Sequence, residues 1–433
     1  MRVIILARKR RRPYVTYLLI LVNVIVYILT SLQNSLLETS SEWIDTLAYM
    51  PSLTGCPREW YRFLSCMFTH ADFMHIFFNM YFLFIFGREV ETRLGHLKYL
   101  VLYLLAGLGA TAFHTAFTPV GGSIGLVIPT VGASGAISGI LASHMLMFPG
   151  RKLAAWIFPL PPVVISSSYY LLIWFTMQVL YGYTRFESGT AFFAHAGGFV
   201  VGILVLYLLR HARKPRPEIG RTGLGAKPKA ILGLVIVALA AGAVYSYFTS
   251  KNLTGVYLLS IHTIRNGHLT EDVAVYTMVE NKTVSPSSDD PRVVFNRIVW
   301  AGLLQYQPSY TNPDFEDSTT VFPPSLWPPL RLYMKGSISY DQLGVLQSFE
   351  GKMITDVILT DSYGRVRSVE KNVEYQVSMN SEEVAGDLGA KVVGPLALLS
   401  AVVAVGALIV TLTKSDELLA REVYLGFRPL IPI

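Results

Sequence analysis

Long apolar runs separated by short polar connections dominate the first half of the chain and return near its end. Eight runs have about the length needed to cross a bilayer as helices, roughly 14–31, 73–93, 97–117, 132–149, 163–184, 190–210, 230–248 and 392–413. The second run is marginal, because its unbroken apolar part is short and contains His75 and Asn79. The first run follows a basic segment but lacks a small-residue cleavage site, so it is interpreted as a retained span. The pattern predicts an all-α polytopic membrane protein.

A polar stretch separates spans seven and eight and divides the chain into domains. Short β-branched and aromatic runs at 273–279, 292–299 and 353–359 predict a mixed or strand-rich fold there, whereas the proline-rich stretch 307–329 is interpreted as an extended connection. The predicted division is a basic N-terminus 1–13, a six-span core 14–210, a linker 211–229, span seven 230–248, a soluble domain 249–391, span eight 392–413 and a tail 414–433.

Composition and charge support this organisation and orient it. Of the 433 residues, 52% are hydrophobic and 15% charged, which is too apolar for a soluble protein of this size. Basic residues cluster at 2–12, 88–98, 151–152 and 210–229, and all four clusters lie on one side if the spans alternate. The positive-inside rule makes that side cytoplasmic. We therefore expect a multi-pass protein of the cell membrane with both termini cytoplasmic.

The same orientation makes residues 249–391 extracytoplasmic. This agrees with 11 basic against 17 acidic residues over 251–390. The chain is expected to lie in the lipid bilayer and to bind no nucleic acid. Its exterior domain is expected to bind an unknown protein or surface partner. N-glycosylation sequons begin at Asn252 and Asn281.

Polar side chains sit at matching depth in three of the spans. Ser134 stands in a Gly-Ala-Ser-Gly motif at the start of span four, and His195 stands in an Ala-His-Ala-Gly-Gly motif in span six. His75 lies at the start of span two, so all three side chains are about 5–10 Å below the outer boundary. Spans four and six each carry a G-x-x-x-G pair, which lets helix backbones approach closely in lipid. Polar residues inside spans usually mark function.

These residue types suit hydrolysis by a serine nucleophile. His195, kept neutral in an apolar site, would accept the proton of Ser134, and the lack of a nearby carboxylate in a span favours a dyad over a triad. The Ser134 amide, together with His75 and Asn79 on one face of span two, would donate to the oxyanion. Taken alone, Ser134 fits a role in helix packing about as well as catalysis, and His195 fits an interhelical hydrogen bond about as well as catalysis. His70 is interpreted as a boundary residue of the outer loop that lines a water path.

Several segments, in this order and on these spans, resemble the rhomboid family of intramembrane serine proteases. The matching segments are 60–62, 68–71, 75–79, 87–91, 132–136 and 194–198. The resemblance covers about 13–210. It implies that Ser134 is the nucleophile, that His195 is its base, and that His75 and Asn79 support the oxyanion. Two departures are Tyr61, which separates the usual Trp-Arg pair, and Ser138, which stands where an aromatic residue often stacks on the histidine.

The resemblance implies an intramembrane serine endopeptidase that cuts peptide bonds in or near transmembrane segments of other membrane proteins. Substrates would approach laterally past span five, and segment 184–190 would serve as a lid. One alternative is a catalytically inactive rhomboid-like scaffold, although such relatives typically lack the serine or the histidine. Another is a transporter, which predicts polar residues across the full membrane depth.

No cofactor or metal is expected, because the histidines form no ligand-like motif with carboxylates or cysteines. Cys56 and Cys66, in the outer loop, fit a disulfide or two free thiols about equally. For the exterior domain, substrate recruitment, gating of the core and attachment to a surface layer remain open.

Overall fold

The computed structural model describes residues 11–121, 126, 128–155, 163–186, 190–211, 223–250, 253–265, 268–279, 282–284, 314–321, 330–340, 346–360, 366–386 and 388–418. The chain divides into two units, each described by itself. The helical unit comprises 1–125, 129–250 and 393–433, and the sheet unit comprises 126–128 and 251–392. Segment 292–299 and the residues Asn252 and Asn281 lie outside the described residues.

The helical unit consists of twelve described helices and one short hairpin. The helices are α1 Tyr14–Ser31, α2 Ser41–Leu47, α3 Arg62–Ser65, α4 Phe73–Phe82, α5 Arg88–Leu94, α6 His96–Ala116, α7 Thr118–Gly121, α8 Ser134–Met147, α9 Ser167–Thr184, α10 Phe192–His211, α11 Ala226–Thr249 and α12 Gly394–Ile409. A π-helical turn, Leu83–Gly87, joins α4 to α5. Strands β1 (Lys152–Ala155) and β2 (Val163–Ser166) pair antiparallel before α9.

By length and composition, five described helices are able to cross a membrane: Tyr14–Asn34, His96–Ala116, Phe192–Arg210, Ala226–Thr249 and Gly389–Leu418. Helix α8 is apolar but shorter. The chain is thus a mostly helical polytopic membrane protein. The predicted helical start of span five at 163 is wrong, because 163–166 pairs as strand β2 and the helix begins at Ser167.

Carboxylate side chains accept backbone amides at the starts of α4 and α1. Asp72 caps α4, and its carboxylate accepts the amide of His75 at 2.8 Å. The fully buried Glu91 of α5 caps α1 across the bundle, because its carboxylate accepts the amides of Val15 (2.9 Å) and Thr16 (2.7 Å). Buried carboxylates need such donors, so Glu91 ties the first helix to the α4–α5 segment.

Helices α6, α8 and α10 form the centre of the helical unit and pack through small residues. A Cβ at Gly198 of α10 would overlap the carbonyl oxygen of Gly135 in α8, and one at Gly202 would lie 2.6 Å from the carbonyl oxygen of Gly139. The two G-x-x-x-G pairs therefore face each other, which confirms the predicted close approach of these helices.

Helices α11 and α12 pack against each other and against this centre. The Tyr183 hydroxyl of α9 donates to the carbonyl of Ala238 in α11 at 2.6 Å, and the Ser246 hydroxyl of α11 donates to the carbonyl of Ala116 in α6. Hydrogen bonds of this kind join helices in an apolar medium, so α11 is attached to the end of α9.

The sheet unit contains an antiparallel seven-stranded sheet of order β5-β4-β3-β9-β8-β7-β6. Its strands are β3 Leu253–Arg265, β4 His268–Val279, β5 Lys282–Val284, β6 Asp314–Val321, β7 Leu330–Tyr340, β8 Leu346–Thr360 and β9 Val366–Gly386. Buried side chains recur mostly at every second or fourth residue of the strands, as one covered face requires, at Met334, Ile338, Phe349, Met353, Val373, Val377 and Met379.

This sheet agrees with the strands predicted at 273–279 and 353–359, which fall within β4 and β8. The interpretation of 307–329 as an extended connection is wrong for 314–321. That segment is β6 and pairs with β7 along its whole length. Prolines flank this segment in the sequence but do not interrupt it, and long-range pairing set its structure.

Candidate active site

A short loop before α8 presents Ser134 at the helix start. Gly132 adopts φ +116°, a conformation that L side chains rarely adopt. Its amide donates to the carbonyl of Cys66 at 2.8 Å, and the amide of Ala133 donates to His70 Nε2 at 3.4 Å. Cys66 and His70, between α3 and α4, thus hold the backbone of the two residues that precede Ser134.

His70 therefore has a structural contact that the sequence did not suggest. His70 lies in the connection between α3 and α4, as expected. Its interpretation as the lining of a water path is wrong, because the side chain is 0% exposed and packs edge-on against the ring of His75 at 5.2 Å. Burial, with a smaller contribution from His75, lowers the pKa of His70 to about 3. The ring is consequently neutral at physiological pH and able to accept the Ala133 amide.

Ser134 and His195 meet across the α8–α10 contact. Ser134 Oγ lies 2.7 Å from His195 Nε2, within hydrogen-bond distance, and both residues are half-buried. The two side chains come from positions 61 residues apart. The facing glycine pairs bring the helix backbones close enough for this contact.

The other two predicted site residues lie on α4. A Cβ at Gly132 would lie 2.6 Å from His75 Nε2 and 3.6 Å from Ser134 Oγ, so the His75 ring and the Ser134 hydroxyl border the same small space. Asn79 is buried, and its amide nitrogen donates to the carbonyl of His75 at 2.8 Å. The structure thus brings His75 to the serine, whereas the Asn79 amide is engaged within its own helix.

The start of α8 also offers a backbone donor close to the serine side chain. Ala133 is the N-cap of α8 without a side-chain cap, and the first amide bonded back to it is that of Ile137, at 2.9 Å. The amide of Ser134 belongs to the first turn, whose N–H groups have no acceptor within the helix. Such a group, at the positive end of the helix dipole, is suited to stabilise an oxyanion.

Two residues of α9 were missed by sequence reasoning. Gln178 Oε1 lies 2.7 Å from His195 Nδ1, and the indole of Trp174 lies 5.9 Å from the His195 ring at an interplanar angle of 31°. Gln178 carried a usable signal, because an amide inside an apolar span is costly unless it is partnered. Trp174 carried none, since aromatic residues are common in spans.

Three other expectations concern the lid, the two cysteines and a metal site. Of the suggested lid 184–190, residues 187–189 lie outside the described residues. No disulfide joins Cys56 and Cys66 in the structure. Within the described ranges, no group of three or more His, Cys, Asp or Glu side chains is arranged to hold a metal ion.

Comparisons with known proteins agree with this geometry. The family model of the rhomboid domain matches residues 57–212. The chain is 29% identical over 201 residues to rhomboid protease AarA of Providencia stuartii, which covers 44% of this chain and 70% of that protein. It is 28% identical over 150 residues to the mitochondrial rhomboid protein 1 of Saccharomyces cerevisiae, covering 34% of this chain and 42% of that protein.

A third relative is rhomboid protease GluP of Bacillus subtilis, which is 24% identical over 236 residues, or 54% of this chain and 40% of that protein. The chain thus spans less than half the length of two of these three relatives. The matched domain contains Ser134, His195 and the α4 residues beside them. Residues 57–212 are therefore similar to the rhomboid domain, which supports a rhomboid family protein.

Proposed function

We propose that the chain is an intramembrane serine endopeptidase that hydrolyses peptide bonds in or near transmembrane segments of other membrane proteins. The observation that carries this proposal is the 2.7 Å contact between Ser134 Oγ and His195 Nε2. A hydroxyl and an imidazole in hydrogen-bond contact are the minimal pair for nucleophilic catalysis. Relatives named rhomboid proteases in two bacteria support the same reaction class.

The proposed mechanism uses the two side chains in sequence. Ser134 Oγ attacks the peptide carbonyl carbon while His195 Nε2 takes the hydroxyl proton. The C–N bond then breaks, and His195 delivers that proton to the departing amine, which leaves an acyl enzyme. Water, deprotonated by the same imidazole, hydrolyses the ester and restores Ser134.

The negative oxygen of each tetrahedral intermediate requires donors already in position. The Ser134 amide and the His75 imidazole are the nearest candidates. Asn79 is a third candidate, because one N–H of its amide donates to the His75 carbonyl and the same nitrogen carries a second N–H donor. His75 is the better placed of the two side chains, since its ring and the Ser134 hydroxyl border the same space beside Gly132.

We further propose the orientation that the basic loops indicate, with cytoplasmic termini, an active site that opens toward the extracytoplasmic face, and residues 249–391 on that side. Transmembrane proteins are the proposed substrates, and the exterior domain is the proposed contact for a protein or surface partner. Single cysteines introduced at exposed positions such as Lys371 and Lys227 would test this orientation through their reaction with a membrane-impermeant reagent.

Labelling by a fluorophosphonate tests the catalytic proposal directly. Purified full-length protein in detergent should become labelled and cleave a labelled transmembrane substrate, while Ser134→Ala and His195→Ala lose both activities. The matched control is Ser143→Ala, on the same helix, because the buried Ser143 hydroxyl has no hydrogen-bond partner among the described residues. Full activity of Ser134→Ala would remove Ser134 from the mechanism, and an unlabelled, inactive wild type would favour the scaffold alternative.

A further inference from the structure

Both ring nitrogens of His195 are engaged, each by a different helix. Nε2 contacts Ser134 Oγ of α8, and Nδ1 contacts Gln178 Oε1 of α9, both at 2.7 Å. Gln178 is only 8% exposed. A neutral imidazole has one donor and one acceptor nitrogen, and the partner of one nitrogen decides the state of the other.

We propose that Gln178 is a positioning residue that holds His195 in the tautomer with its proton on Nδ1. An amide oxygen only accepts, so Nδ1 must donate to it, which leaves Nε2 free to accept the proton of Ser134. This inference rests on the proposed function of Ser134 and His195. It extends the predicted dyad to a chain of three groups, Ser134, His195 and Gln178.

A neutral amide suits this place better than a carboxylate. A carboxylate beside Nδ1 would have to be removed from water inside the bundle, and burial of a charge costs far more than burial of an amide with a hydrogen-bond partner. Orientation of a catalytic histidine by an amide side chain also occurs in the Cys-His-Asn arrangement of papain-like proteases. The amide orients the ring without adding the electrostatic stabilisation that a carboxylate gives to the imidazolium.

The same helix supports the face of the ring. Trp174 is four residues before Gln178 and hence on the same side of α9, with its indole tilted over His195 and backed by Phe199 at 6.4 Å. Ser138, where an aromatic residue often supports the histidine from α8, instead donates its hydroxyl to the Ser134 carbonyl at 2.7 Å. Helix α9 thus supplies both an edge contact and a face contact to His195.

Among the described residues, the titratable groups that act electrostatically on His195 are His75 of α4 and His114 of α6. Loss of Gln178 would leave Nδ1 without its acceptor and would let the ring adopt the other tautomer, in which Nε2 carries the proton and cannot act as a base. Wrong-tautomer variants of serine proteases lose activity by about 10⁴-fold. Because an amide adds no charge stabilisation, we expect a smaller loss, about 10–100-fold.

Three variants of the full-length protein in detergent test the proposal. Gln178→Met keeps the side-chain volume and removes the acceptor, Gln178→Glu keeps an acceptor and adds a titratable charge, and Thr176→Val is the control. The Thr176 hydroxyl bonds only within its helix, to Leu172 at 2.8 Å. The readouts are the fluorophosphonate labelling rate, kcat and KM for substrate cleavage, their pH profiles, and thermal unfolding to verify folding.

We expect Gln178→Met to lose about 10–100-fold in labelling rate and kcat with KM within about twofold of wild type, and Thr176→Val to resemble wild type. Gln178→Glu should recover most of the rate at high pH, with the acid limb of its profile moved to higher pH because a carboxylate stabilises the imidazolium.

Wild-type rates for a folded Gln178→Met, or an unchanged pH profile for Gln178→Glu, would overturn the inference. If Gln178→Met does not fold, the Gln178→Glu profile decides alone. Failure of the proposed function looks different, because the wild type itself would then be neither labelled nor active.

Discussion

Substitution of Gly202 by alanine tests whether helix packing sets the geometry of the catalytic pair. A Cβ at this position would lie 2.6 Å from the carbonyl oxygen of Gly139, against an ordinary contact distance of 3.4 Å or more. The obstacle is backbone, so no side chain can move aside. Helices α8 and α10 would have to separate locally by at least about 0.8 Å, the difference between these two distances, because the Cα of Gly139 lies nearer still.

That separation acts on Ser134 and His195, because they stand on the same two helices. If it reached them in full, their contact would lengthen from 2.7 Å to about 3.5 Å, beyond the range of a productive hydrogen bond. A misplacement of about 1 Å can cost 10²-fold in rate, and overpacking of a well-filled core costs about 1–3 kcal/mol. We therefore expect Gly202→Ala to be labelled by a fluorophosphonate about 10²-fold more slowly and to unfold at a lower temperature.

Gly406→Ala in α12 is the matched control for this assay. A Cβ there would lie 3.6 Å from Leu204 Cδ1, an ordinary contact with a flexible side chain. Alanine also favours the helix over glycine by about 1 kcal/mol, so this variant should be at least as stable as wild type and equally reactive. Wild-type labelling and an unchanged Tm for Gly202→Ala would refute the argument that the glycine pairs position the site.

Three further predictions concern single contacts. Unfolded chains take up a proton on His70 between pH 6.5 and about 3, whereas the folded chain does not; stability should therefore fall with pH below about 6.5 by up to about 1.4 kcal/mol per unit. His70→Gln should flatten this slope in Tm measurements from pH 4.5 to 8, and parallel slopes would contradict it. Burial raises the pKa of the Cys66 thiol to about 12. In a Cys56→Ser variant, Cys66 should therefore react with maleimide only after denaturation. Tyr183→Phe removes the hydrogen bond to Ala238 and should cost about 1 kcal/mol of stability, measured by thermal unfolding against Tyr245→Phe, which alters an exposed side chain.

Much of the helical unit could be predicted because a bilayer imposes simple demands on sequence. Apolar length predicted the helices, and the G-x-x-x-G pairs predicted the contact between α8 and α10. The errors occur where pairing with the adjacent strand decides. Strand β6 forms because β7 pairs with it, and β2 precedes α9 because it pairs with β1, although the prolines of 307–329 favoured a loop and the apolar run from 163 favoured a helix.

The candidate site divides in the same way. Ser134, His195 and His75 were predicted because polar groups inside spans stand out against an apolar background. The contact of His70 with the Ala133 amide, and that of Gln178 with His195, depend on where two helices and a loop meet.

The sequence by itself predicted which polar groups lie within apolar helices and at which turn of each helix, since such groups stand out in an apolar run and their position follows from the rise of a helix. Only the tertiary structure decided which of them meet. The spacing of residues along a helix does not show how that helix is rotated about its own axis in the bundle. The rotation of α9 directs Gln178 and Trp174 at His195.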